Sequence, residues 1–92
     1  MQFMVSWKVA PSHHQAAGEK FLKSGAPTPE GVTIIGRWHA PGSVRGWALM
    51  ESDNLQAIYE HAATWASVLE TEIVPVFEDA DAGQALAKAY GS

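Results

Sequence analysis

Within 92 residues, segments of β, α, β, β, α and β periodicity follow one another, and that order leaves few folds open. Gln2 to Val9 alternates Phe3, Val5, Trp7 and Val9 with Gln2, Met4, Ser6 and Lys8, a period of two that predicts strand one. Pro11 and Ser12 open a helix, with Ser12 and Gln15 spaced as a capping box. The helix runs to about Lys23, with Gly25 and Pro27 as stop signals. Its inward stripe is His14, Ala17, Gly18, Phe21, Leu22 and Gly25, half of it Ala or Gly. Small residues there suit either a close helix–sheet approach or room for a ligand.

After the loop Ala26 to Gly31, strand two covers Val32 to Ala40, Pro41-Gly42-Ser43 turns the chain, and Val44 to Glu51 returns as strand three. With Ala40 opposite Val44, Trp38 faces Gly46, Gly36 faces Ala48 and Arg37 faces Trp47. One face of the hairpin then carries Ile34, Gly36, Trp38, Gly46, Ala48 and Met50. The other carries Ile35, Arg37, His39, Arg45, Trp47, Leu49 and Glu51. Helix two begins at Ser52 or Asp53, and Leu55, Ile58, Tyr59, Ala62, Trp65, Ala66 and Leu69 form its apolar stripe. Strand four, Glu70 to Phe77, contains Pro75, which cannot donate a ladder hydrogen bond and so belongs at a sheet edge or a bulge. Asp79 or Asp81 caps a short Ala-rich C-terminal helix ending near Tyr90.

This is the ferredoxin-like βαββαβ order: a four-stranded antiparallel sheet, spatial order 4-1-3-2, with both main helices on one face. The length suits a single domain over residues 1–92. The uncovered face still holds Met4, Ile35, Trp47 and Leu49, which is much apolar surface to leave wet. A second copy packed sheet to sheet would bury it, giving a homodimeric α/β barrel with Arg37, His39, Trp47, Leu49 and Glu51 at the interface. Glu51 is there expected to hydrogen-bond or pair with Arg37 or Arg45, or, if buried near a cavity, to serve as a general base.

Composition narrows the chemistry. With no cysteine, there is no disulfide, thiolate nucleophile or Cys metal site. The formal charge is −4 and the six Lys and Arg residues are scattered, which argues against nucleic-acid binding. No apolar run is long enough for a signal peptide or membrane span, so a cytoplasmic protein is expected. No His pair has metal-motif spacing, and the serines lack a nucleophile-elbow context, so neither a metal nor a cofactor is expected. The aromatic residues are the better signal. Trp7, Trp38 and Tyr59 should point into the same space as Ala17, Gly36, Gly46 and Ala48, and large flat walls beside small residues make apolar pockets. Equally, Trp38 over Gly46 could simply fill a core.

Several motifs resemble domain-of-unknown-function family 3303: Phe3-Met4-Val5, Gly36-Arg37-Trp38, Leu49-Met50-Glu51-Ser52-Asp53, and Trp65 followed by Glu72-Ile73-Val74-Pro75-Val76. The resemblance covers the chain to about Ala80. It implies the ferredoxin-like fold and dimerisation, and it brings no established activity. Neighbouring families of the dimeric α/β barrel superfamily include haem-degrading monooxygenases and cofactor-free oxygenases of aromatic compounds. The haem-degrading enzymes use an Asn, a Trp and a His at places corresponding to Trp7, Met50 and His61. Only the histidine is kept, so haem degradation is not expected.

Two functional readings follow. One is a small homodimer that binds an apolar or aromatic ligand at Trp7, His14, Trp38, Met50, Tyr59 and His61, or that serves only as an interaction module. The other is a cofactor-independent monooxygenase or isomerase-like enzyme working in the sheet–helix space of each protomer. A ligand-sized cavity with His14, Tyr59 or His61 pointing inward favours the enzyme; a solid core favours the interaction module.

Overall fold

A computed structural model describes residues 1–42 and 44–91; Ser43, the last residue of the expected turn, lies outside the described residues. The strands are β1 (Gln2–Lys8), β2 (Thr33–His39), β3 (Arg45–Glu51) and β4 (Glu70–Val76). The helices are α1 (His14–Ser24), α2 (Leu55–Ala63) and α3 (Asp79–Tyr90), and a single 3-10 turn, Pro11–His13, leads into α1. All strands pair antiparallel in the order β2-β3-β1-β4. That is the ferredoxin-like arrangement the element order predicts. Pro75 lies on the edge strand β4, where its missing N–H costs no ladder bond to an outer neighbour.

The caps differ from the sequence expectation. Ser12 and Gln15 form no capping box; α1 begins after the 3-10 turn without a side-chain cap, and Gln15 instead bonds Glu19 one turn on. At α2 the N-cap is Asn54, whose side-chain oxygen accepts from the Ala57 amide at 3.2 Å. Ser52 is freed for a different task. Buried, its hydroxyl donates to the Gly31 carbonyl at 2.7 Å and accepts from the Asn54 amide at 2.9 Å. It thereby ties the approach to β2 to the β3–α2 junction. α3 carries no side-chain cap from Asp79 or Asp81.

The decisive departure is in β2. Ile34 pairs with Met50, but the next partners are Gly36 with Leu49, Arg37 with Ala48, Trp38 with Trp47 and His39 with Gly46. Ile35 is the extra residue of a β-bulge. Because side chains alternate along a strand, one extra residue exchanges the faces of everything beyond it. Arg37 and His39 therefore turn toward the helices, the reverse of the expected placement. Trp38 goes to the open face with Trp47 and Leu49, and 54% of it is exposed. The indole of Trp38 lies over Gly36, two residues earlier on the same face, while Gly46 receives the ring of Trp7. A side chain at either glycine would meet those rings, so both tryptophans depend on a missing Cβ.

The core lies toward one end of the sheet–helix layer. Phe3, Val5, Val32, Ala48, Met50, Ala57 and Ile58 form it, with Trp7, Ile34 and Ile73 packed alongside. The buried face of α2 is centred on Ala57, Ile58 and the following Trp65, rotated from the expected stripe: Leu55 is 59% and Tyr59 71% exposed. Leu22 likewise points out of α1. The Cα radius of gyration is 15.7 Å, larger than the roughly 12–13 Å of a close-packed chain of this length. α3 explains the excess, since none of its residues is buried and Leu86 and Tyr90 stand exposed.

Candidate functional site

Where the core stops, the layer is hollow. A cavity of about 410 Å³ lies between the sheet and the helices. From β1 it is lined by Val5 and Trp7, from β3 by Ala48 and Met50, and from β2 by Arg37 and His39. α1 contributes His14, Ala17, Gly18 and Phe21, while α2 and the turns after it contribute His61, Ala62 and Trp65. The small residues create the space. Gly18 has open room where a Cβ would stand, and Ala48, although fully buried, is too short to reach across to the helix layer.

Of the expected ligand residues, Trp7, His14, Met50 and His61 line the cavity. Trp38 and Tyr59 do not. Trp38 is on the other side of the sheet because of the bulge, and Tyr59 is turned to solvent by the rotation of α2. Of the expected interface residues, Trp47, Leu49 and Glu51 keep the open face, whereas Arg37 and His39 have moved to the cavity. No Glu51–arginine ion pair forms among the described residues. The signal for the bulge was present in the sequence: two apolar residues in succession, Ile34 and Ile35, followed by a glycine inside a strand.

Arg37 is held at the far end of α1. Its Nη1 donates to the Ala26 carbonyl at 3.0 Å and its Nη2 to the Gly25 carbonyl at 3.3 Å. Both acceptors belong to a left-handed turn, Gly25 at φ 69° closing the helix and Ala26 at φ 46° following it. For an alanine that conformation costs about 1–2 kcal/mol, offset here by Arg37 and by the Ser24 hydroxyl accepting from the Ala26 amide. The guanidinium sits over the Phe21 ring, 5.2 Å from its centroid. His39 contacts both Phe21 and Trp7 edge-on, with centroids 5.4 and 5.6 Å away. On the opposite wall Lys20 lies over Trp65, 4.6 Å from the ring centre, and donates to the Thr64 carbonyl.

His61 sits in an environment that alters its titration. Partial burial first, then the positive charges of Arg37 and Lys20, lower its pKa from the ordinary 6.5. At neutral pH it is therefore an uncharged imidazole, able to accept a proton. No group of three or more His, Cys, Asp or Glu side chains is clustered to hold a metal among the described residues. No helix among them is long and apolar enough to cross a membrane.

The chain belongs to the family described as Domain of unknown function (DUF3303), whose family model matches residues 1–90. No curated protein matches it by sequence. Among solved structures it is similar to a Deinococcus radiodurans protein provisionally described as an antibiotic biosynthesis monooxygenase, at 9% identity and a TM-score of 0.49, covering 85% of this chain and 94% of that one. A Streptomyces coelicolor A3(2) protein gives 18% identity and a TM-score of 0.48, covering 85% of this chain and all of that one.

The lowered pKa of His61 has a consequence for stability. Below about pH 6.5 the unfolded imidazole takes up a proton while the folded one still resists it. Stability therefore falls as the pH is lowered through that interval, down to the folded pKa. Thermal melts from about pH 7 to 5 should show Tm declining, with His61→Gln declining less steeply. Equal slopes in the two proteins would show that His61 is not responsible.

Proposed function

We propose that this protein binds a small apolar or aromatic molecule in the cavity between its sheet and helices. The observation that carries this reading is the unfilled space itself, about 410 Å³ walled by Trp7, Phe21 and Trp65 and opened by Ala17, Gly18 and Ala48. Cavities in this size range suit compact organic ligands. A hollow of this kind weighs against a domain that serves only for protein contacts. Gly18 supplies the test. Replacing it with leucine puts a side chain into open space and improves helix propensity by up to about 1 kcal/mol. Gly18→Leu should fold with an unchanged or raised Tm and lose binding of N-phenyl-1-naphthylamine, a neutral probe that fluoresces in apolar sites. Undiminished probe fluorescence in that variant would refute the pocket.

A second reading, catalysis without a cofactor, is favoured by His61. A neutral imidazole on an apolar wall, with Arg37 near enough to perturb it, can take a proton from a bound C–H acid and leave the resulting anion beside a cation. Proton removal is a first step that an isomerase and a cofactor-independent oxygenase can share. In D2O the protein should accelerate deuterium exchange at the benzylic methylene of 2-tetralone, followed by NMR, and His61→Gln should abolish the acceleration. Exchange at the buffer rate with wild-type protein leaves binding alone.

The protein acts as a homodimer in this proposal, paired through the open sheet face. Trp38, Trp47 and Leu49 are supported there by Met4 and Val74, and Ile35 is half exposed. Trp38 thus takes the interface place that the sequence had suggested for Arg37 and His39. Sedimentation at micromolar concentration should give a dimer, and Leu49→Glu a monomer. A wild-type monomer would remove the proposal.

A further inference from the structure

We infer that the cavity selects an organic anion, a flat apolar ring system bearing one carboxylate, sulfonate or enolate, and that Arg37 receives its negative group. The inference rests on the pocket reading above and adds the sign of the ligand.

The distribution of charge in this chain is lopsided. It has ten carboxylates against six Lys and Arg, for a net charge of −4. Yet all ten carboxylates are solvent-exposed, and none lines the cavity. The lining holds Arg37, His14, His39 and His61 instead, with Lys20 at its edge over Trp65; Arg45 also borders it, but its guanidinium lies over Trp47 on the open face. The titratable groups on this aromatic-walled space of a negatively charged protein are thus all cationic or proton-accepting. Such a segregation favours one sign of ligand in a partly desolvated site.

Arg37 is the centre of it. It is partly buried, and the one ion pair among the described residues joins the terminal amino group to Asp53, leaving Arg37 without a carboxylate partner. Its two hydrogen bonds to the Gly25 and Ala26 carbonyls occupy two of five N–H donors and neutralise no charge. Those bonds and the Phe21 ring hold the guanidinium in place before any ligand arrives, so little side-chain entropy remains to be lost on binding. A planar fork with free donors is suited to the two oxygens of a carboxylate or sulfonate. His39, between Trp7 and Phe21, lies at the same wall and offers a further polar contact. The ring system then occupies the space over Ala48, Ala17 and Gly18.

The test compares two fluorescent probes that share a ring system and differ by one sulfonate: 8-anilinonaphthalene-1-sulfonate and N-phenyl-1-naphthylamine. At neutral pH the anion should bind at least about tenfold more tightly than the neutral probe. Its affinity should weaken between low and roughly 0.5 M salt while that of the neutral probe holds. Arg37→Gln should bring the two affinities together by weakening the anion alone. Because Arg37 also secures the Gly25–Ala26 turn, circular dichroism must show the variant folded; if it is not, the salt comparison and His39→Gln, expected to weaken the anion selectively, decide. Equal affinities with both probes displaced by Gly18→Leu would leave the pocket and overturn the charge preference. An equal loss for both probes in folded Arg37→Gln would make Arg37 structural and likewise overturn it. Failure of both probes to bind wild-type protein, or binding insensitive to Gly18→Leu, overturns the pocket reading and this inference with it.

Discussion

Side chains on a strand alternate between its two faces, so the single unpaired residue at Ile35 decides the chemistry of both sides of this sheet. With a regular ladder through β2, Arg37 and His39 would stand on the open face and Trp38 would fill the space beneath the helices. The bulge reverses this. A large apolar ring leaves the helix side of the sheet, and a guanidinium and an imidazole take their places along the cavity. The bulge thus supplies the polar part of the hollow's wall and keeps Trp38 from filling it, and the same reversal adds Trp38 to the apolar surface outside.

The rest of the layer is arranged around that hollow. Packing is complete where Phe3, Met50 and Ile58 meet, and this end supplies the hydrophobic driving force that a small domain needs. Toward Trp7 and Ala48 the helices are kept away by ring-sized side chains on either side of small ones. Trp7 lies against Gly46, Phe21 stands against His39, and Trp65 carries Lys20 above it. Cavities reduce stability because their lining loses contact partners. A domain this small that retains one has given up packing where binding is proposed.

Electrostatics within the hollow are mutually dependent. Arg37 and Lys20 discourage a proton on His61, and burial does so more strongly. An anion beside Arg37 would offset part of that effect, so ligand charge and the protonation of His61 are linked in the proposed site. This is the physical connection between a binding reading and a catalytic one. In the proposed reaction, the charges that add to burial in keeping His61 neutral would also stabilise the conjugate anion.

Periodicity and chain order carried the architecture. Alternation in Gln2 to Lys8, Pro75 in the last strand and the helical spacing of α2 were enough for the ferredoxin-like topology and the place of β4 at an edge, because these depend on local backbone chemistry and on which residues avoid water. The cavity-facing placement of Trp7, His14 and Met50 was also legible, since each lies where an unbroken period puts it on the inner side; His61 only flanks the expected stripe of α2, and the rotation of that helix brings it to the cavity. Tertiary structure decided the remainder. β2 has apolar or aromatic residues on both faces, so its hydrophobic pattern is satisfied by either register, and only pairing with β3 chose the one that sends Arg37 and His39 inward. The rotation of α2 that exposes Tyr59 was likewise settled by packing, because Ile58 and Trp65 bury more completely against the sheet than Leu55 and Tyr59 would beside them.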